Sequence, residues 1–291
     1  MIKIFNLYIT SIVILLLLHA CLSTNNEPRV VGDGTVILSM EVSHATLPGL
    51  YATDKKLYFS WIDTVSMPGK SKFSIAELRD TTLYSPVTLA VGENWFINWA
   101  DYPSMVVNGN HVLAHFLANS PGTNKMAYDI KYGVQDLATP SEHFQLLNTD
   151  GTQSEHGFVS MLPLTDTSFF ITWLDGRNMA GGHDHQHSGH TGAMNVRAAE
   201  VNLYGKVRSE VILDHMACTC CQTTAALTSS GPVVLYRDCT IDNIRDIVIT
   251  RKIGEDWTEP RPVHLDGWKI EGCPVNGPKA DATGDTIVVA W

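Results

Sequence analysis

One pattern recurs through this sequence: a short strand, a tight polar turn, then a more apolar strand. It reads as "YATDKKLYFSWID", "SMVVNGNHVLAHFLAN", "VSMLPLTDTSFFITWLDGR", "TTAALTSSGPVVLYRD" and "KADATGDTIVVAW". An aromatic residue stands near the end of each second strand, at Trp61, Phe116, Trp173, Tyr236 and Trp291, with gaps of 55, 57, 63 and 55 residues. Amphipathic helical periodicity is scarce, and short β-rich runs bounded by turn residues fill the chain. Regular all-β spacing of this length predicts a β-propeller of four-stranded blades. Third and fourth strands follow each hairpin, as in "MNVRAAEVNL" then "VRSEVIL", and "IRDIVITRK" then "WTEPRPVHL". A β-sandwich also shows many short strands. The recurring aromatic-x-Asp of Trp61–Asp63, Trp173–Asp175 and Tyr236–Asp238 favours the propeller. "DTIVVAW" is a second strand with no third after it, so the sequence reads as about four and a half blades of a ring that continues further.

The first residues, "MIKIFNLYITSIVILLLLHAC", stand apart from the repeat. Lys3 supplies a positive start, Ile12 to Leu18 a short apolar run, and Leu18-His19-Ala20-Cys21 a lipobox-like end. Residues 1–20 are read as a lipoprotein signal, 21–28 as a tether and 29–291 as the propeller. Asn6, Thr10 and Ser11 interrupt the apolar segment, which argues against a membrane span. Cys21 would carry the lipid, anchoring the protein to a bacterial membrane on its extracytoplasmic side. The formal net charge of -10 argues against a nucleic-acid partner. Export implies a compartment where disulfides persist. Five cysteines follow Cys21, at 218, 220, 221, 239 and 273, and an odd number leaves at least one outside any disulfide set.

"RKIGEDWTEPRPV" resembles the Asp-box turn of sialidase-type, BNR-repeat propellers: Gly254 and Trp257 match, while the usual Ser and first Asp do not occur. The stretch from "ITWLDGR" through "CTCCQT", "YRD", "IRDI" and "DGWKIEGCPVNGP" resembles exported, sialidase-like members of that family, most closely from Trp173 to Trp291. The resemblance implies a six-bladed propeller. For a catalytic member it also implies an arginine triad, a Tyr–Glu nucleophile pair and an Asp acid/base. The Arg-Ile-Pro of the first triad arginine does not occur here, and Arg29 in "PRVV" is a poor substitute. Arg177, Arg237 and Arg245 do not map onto the triad either. Whether the chain is an enzyme therefore stays open, and a sialidase-like exo-glycosidase or a non-catalytic glycan-binding relative remains an alternative.

In a propeller blade, the loop after the second strand and the loop before the first lie on one face. Asp63, Asp175, Arg177, Arg237 and Asp238 follow second strands, as does the run His183, His185, His187 and His190 in "GGHDHQHSGH". "HMACTCC", with His215, Cys218, Cys220 and Cys221, precedes the fourth hairpin, and Cys273 precedes the fifth. The chemistry-bearing residues thus converge on one face of adjacent blades. Three readings of the cysteines compete: disulfides to Cys239 and Cys273 across the loops, reduced packing, or a soft-metal site for copper or zinc. The metal reading uses Cys218, Cys220, Cys221 and Cys273 with His215, and the His run, flanked by Met179 and Met194, as capture ligands. Along an extended chain, Cys218 and Cys220 would point to one side and Cys221 to the other. Arg177, Arg237, Arg245 and Asp246 are candidates either for knitting loops together or for holding a ligand, and Trp268 for stacking on a sugar.

Overall fold

The computed structural model describes residues 29–30, 36–37, 44–64, 66, 68–80, 82–122, 124, 126–179 and 194–291. Every regular element among them is a β-strand. The first sheet runs Ala45–Ala52, Leu57–Asp63, Ser71–Arg79, Thr82–Gly92, each strand antiparallel to the next. The second contains Ser104–Asn108, His111–Asn119, Tyr128–Asp136 and Gln145–Leu146, with Trp95–Phe96 also pairing to His111–Asn119. The third contains His156–Thr165, Ser168–Asp175, Met194–Asn202 and Val207–Ala217. The fourth contains Thr224–Thr228, Gly231–Arg237 and Ile247–Ile253, with Asp256–Trp257 and Arg261–Pro262 completing its outer edge. Lys279–Thr283 pairs with Thr286–Ala290 in the fifth. A short pair, Arg29–Val30 with Val36–Ile37, stands at the N-terminal side.

The five sheets form the successive blades of a β-propeller. Their first strands touch in chain order: Ala45–Ala52 against Ser104–Asn108, then His156–Thr165, Thr224–Thr228 and Lys279–Thr283. A single sheet cannot bury both of its faces alone, so each blade packs on its neighbours. Strand alternation assigns the partners. Phe169, Ile171 and Trp173 point back to Leu113, Tyr128 and Ile130 of the second blade. Phe170 and Leu174 of the same strand point forward to Val234, Tyr236 and Val248 of the fourth. Tyr58, Ile62 and Phe73 meet Met105 and Val112 at the first seam, and Leu235 and Ile247 meet Ala280 and Val289 at the last. Ser168–Asp175 is consequently buried at every position. This explains why "SFFITWLD" is nearly continuously apolar instead of alternating.

The hairpins fall where the repeat places them, and the aromatics of the second, third and fourth blades face the preceding seam. Trp173 and Tyr236 are fully buried, and Phe116 packs at the seam between the first and second blades. Trp291 is 48% exposed, and its indole N–H donates to Asp266, in the connection after the fourth sheet, at 2.8 Å. Polar ties reinforce the seams. Asn108 donates to the Thr165 and Ser168 carbonyls, and the Thr223 hydroxyl to the Phe158 carbonyl.

Replacing Trp173 with Ala removes the largest fully buried side chain and the donor its indole gives Asp175 at 3.1 Å. The expected cost is about 3–5 kcal/mol, read as a lower denaturation midpoint. A loss of under about 1 kcal/mol would show that this seam is not packed as described.

Candidate functional site

The thiol cluster forms where two loops of one face meet. Ala217 bridges to Asp238, and the Cys218 N–H donates to the Arg237 carbonyl at 3.0 Å, so the "CTCC" segment lies beside the end of Gly231–Arg237. The backbone turns at Thr219 and Cys220 instead of running extended. This corrects the alternation expected of an extended chain. Sγ of Cys218 lies 3.8 Å from that of Cys220 and 3.5 Å from that of Cys221, and all three sulfurs stand within 4.8 Å of one another. Cys218 and Cys221 are buried, Cys220 half-buried and Cys273 exposed. Cys273, arriving from the loop before the fifth blade, lies beside Cys220. All five described cysteines have free thiols.

Positive charge and backbone donors surround this sulfur group. Arg245 Nη1 donates to Cys218 Sγ at 3.0 Å, and the Asn276 N–H to Cys221 Sγ at 3.4 Å. Hydrogen bonding with Cys220 and Cys221, helped by the Arg245 charge, pulls the Cys218 thiol far below the usual cysteine range. The cost appears on its partners. Hydrogen bonding with Cys218 pushes Cys220 up strongly and Cys221 to about 11. Cys273, with Cys220 beside it, is drawn down to about 7. The cluster thus favours one thiolate beside the guanidinium, with the remaining protons shared around it. Gly277 lets the Cys273 loop approach, since a Cβ there would lie 2.1 Å from the Gln222 carbonyl oxygen.

Arg237 supports this arrangement from below. Its Nε donates to the Asn276 carbonyl at 2.8 Å and its Nη1 to the Arg245 carbonyl at 2.5 Å. Its guanidinium lies 4.6 Å from the centre of the Trp268 ring, and Trp268 remains 38% exposed. Asp246 accepts the N–H groups of Gly267 and Trp268, which positions that tryptophan. Burial raises the Asp238 carboxyl to about 6. Cys239 stays outside the cluster, with its sulfur near the Thr240 carbonyl, and His215 is exposed and also outside it. Asp63, on the first blade, pairs with Lys72 at 3.5 Å and accepts from Ser66. Cys21 and the run His183, His185, His187 and His190 lie outside the described residues.

Asp175 and Arg177 belong to a second polar group, in the seam between the second and third blades. Arg177 holds Asp175 through two bonds, of 2.7 and 2.6 Å, and reaches Asp150 at 3.3 Å. His156, fully buried, places Nε2 3.2 Å from Asp150 Oδ2 and 3.7 Å from Asp175 Oδ1. Burial acts to raise the Asp175 carboxyl, but Arg177, His156 and Trp173 outweigh it and its pKa is lowered. Asp150, His156 and Asp175 are ligand types for a metal, and Arg177 pairs with both carboxylates. Nearby, the Tyr128 hydroxyl donates to Glu155 at 2.5 Å, and the Phe158 N–H to buried Asp101 at 2.8 Å. Sequence reasoning missed Asp101, Tyr128, Asp150, Glu155 and His156. "SEHG" opens the third hairpin in the same register as "CTCC" opens the fourth, and that signal would have found two of them.

No protein-family model and no curated protein matches the chain. Solved structures do share its course. An α-L-arabinanase from Penicillium chrysogenum, complexed with arabinobiose, is 11% identical over 73% of this chain and 63% of its own, with a TM-score of 0.47. The hemagglutinin-neuraminidase of Parainfluenza Virus 5 is 6% identical over 74% of this chain and 60% of its own, at 0.42. A β-xylosidase/α-arabinofuranosidase from a compost microbial metagenome is 11% identical over 82% and 81%, at 0.41. The chain therefore spans less than two thirds of the first two, and at these identities the likeness concerns the path of the backbone alone.

Asp101 gives a test of the loop face. Burial raises its carboxyl to about 7, with the Phe158 N–H opposing and Glu155 reinforcing the shift. Between the unfolded value near 4 and pH 7, the folded chain keeps a proton that the unfolded chain has lost. Stability from this group is therefore full at acid pH and falls as pH rises through that window, by at most about 1.4 kcal/mol per pH unit. Asp101→Asn should flatten this slope in unfolding curves taken from pH 4 to 7. An unchanged slope would show that Asp101 is not protonated there.

Proposed function

We propose that this protein is an extracytoplasmic, lipid-anchored propeller that binds a soft metal ion, Cu(I) or Zn(II), through the cysteines of its loop face. The observation that carries this reading is the convergence of Cys218, Cys220 and Cys221, with Cys273 beside them. Thiolates bound to zinc at about 2.3 Å stand roughly 3.8 Å apart. The spacings of 3.8 and 3.5 Å match that geometry. Thiolate sulfur is also the donor that Cu(I) prefers. Arg245 and the Asn276 N–H offset the negative charge that three or four thiolates bring to one ion. Lipidation of Cys21 and metal capture by His183, His185, His187 and His190 belong to the same reading, as a tether and a feeder for the site.

A glycan reading rests on Trp268. One face of its indole is covered by Arg237, and the ring stays accessible on the loop face, where a sugar's apolar side would stack. This reading covers either an exo-glycosidase or a binding protein without catalysis. Arg177 and Arg237 are poor carboxylate clamps here, since one is paired with Asp175 and the other with backbone carbonyls.

The two readings separate in one set of titrations. The reduced chain should take up close to one equivalent of Cu(I) or Zn(II). Cys218→Ser should weaken uptake at least about 100-fold, as loss of a ligand does, and His215→Ala should leave it unchanged. Equal uptake by the native chain and Cys218→Ser would remove the metal reading. Oligosaccharide binding lost in Trp268→Ala would put the glycan reading in its place.

A further inference from the structure

The four thiols run from solvent to interior, and the sulfurs of Cys218, Cys220 and Cys221 lie within 4.8 Å of one another. Cys273 is exposed, Cys220 beside it is half-buried, and Cys218 and Cys221 are buried. Within the inner group the sulfurs are in contact, at 3.8 Å from Cys220 to Cys218 and 3.5 Å from Cys218 to Cys221, and Cys273 lies beside Cys220. Thiolates attack disulfides through mixed-disulfide intermediates, so contiguous sulfurs permit successive exchange without large motion. Arg245, at 3.0 Å from Cys218 Sγ, stabilises the thiolate that forms at Cys218.

We propose that the metal-free cluster is a thiol–disulfide exchange relay, which takes oxidising equivalents from an external disulfide at Cys273 and stores them as a Cys218–Cys221 disulfide. The Cys273 thiolate attacks a disulfide R–S–S–R, forms Cys273–S–S–R and expels one RS⁻. The Cys220 thiolate attacks the Cys273 sulfur, forms Cys220–Cys273 and expels the second RS⁻. Cys218 then attacks the Cys220 sulfur and frees the Cys273 thiolate. Cys221 finally attacks the Cys218 sulfur, forms Cys218–Cys221 and frees the Cys220 thiolate. Overall, two protein thiolates are oxidised and one external disulfide is reduced to two thiolates. The end state is set by spacing. Cys218 and Cys221 are three positions apart across a turn, the spacing of redox-active Cys-x-x-C pairs, whereas adjacent Cys220 and Cys221 would form a strained bond. The relay does not depend on metal binding, and a bound metal would block it by occupying the same thiolates.

The test uses the full chain, reduced, stripped of metal by a chelator and mixed with one equivalent of oxidised glutathione. Samples are quenched in acid, alkylated and mapped by mass spectrometry over time. Glutathione should appear first on Cys273, and the final product should carry Cys218–Cys221 with two glutathiones released. Cys273→Ala and Cys273→Ser should each slow oxidation at least about tenfold, Cys221→Ala should stop it at a disulfide that includes Cys220, and Cys239→Ala should change nothing. A lasting glutathione adduct on Cys273, with Cys218 and Cys221 still open to alkylation, would overturn the proposal. So would an unchanged rate in both Cys273 variants. The mapping of the unsubstituted chain decides the matter even if a variant fails to fold.

Discussion

Burial of the second strands of the inner blades on both faces is the constraint on which the rest of the structure depends. Ser168–Asp175 has no exposed position, so it is stable only between two neighbouring sheets. Alternate side chains are divided between the preceding and the following seam, and a shift of one residue would exchange the two sets. Once that register holds, the end of each second strand and the start of each first strand emerge on the same face. The thiol cluster follows from this geometry. Its parts come from the loop before Thr224–Thr228, the loop before Lys279–Thr283 and the Arg245 segment after Gly231–Arg237, which meet because the fourth and fifth blades share a seam.

Charge on this face is concentrated at two places that differ in kind. In the seam between the second and third blades, Asp150, Asp175, Arg177 and His156 pair by charge, and Arg197 extends the group through Glu210 at 2.7 Å, while Asp150 Oδ2, His156 Nε2 and Arg197 Nε are buried without a hydrogen-bond partner. This is a structural network, and a buried pair of this sort costs several kcal/mol when only one partner is removed. Around the cysteines the groups facing the arginine are thiols. Arg245 has one donor on Cys218, while its Nε is buried without a partner. Such an arrangement is poised for more negative charge than a set of neutral thiols supplies. Metal thiolates or a reactive thiolate would both provide it.

The hairpins, the turns and the face assignment were legible because each depends on a local pattern that repeats. The continuous apolar run of "FFITWL" and the polar turns fix the alternation without knowledge of any distant contact. The grouping of Asp101, Tyr128 and Glu155 was not legible. These residues lie in different strands and connections, each is a single polar residue in an unremarkable context, and only the ring arrangement brings them together. The cysteine motif was partly legible. Its location followed from the register, but a turn at Thr219 and Cys220 set aside the alternation expected of extended chain and brought all three sulfurs together.

The contacts between first strands run strictly in chain order, from Ala45–Ala52 round to Lys279–Thr283. Among the described blades, each therefore has an internal stability and a coupling to the next. Damage at one seam is felt by two blades and attenuates beyond them. Synthesis from the N-terminus lets the blades dock as they emerge, each new one completing the surface left by the last. In the fifth sheet Ala280, Ala282, Ile287 and Val289 dock on the fourth blade, while Lys279, Asp281, Thr283, Thr286 and Val288 alternate with them on the other face.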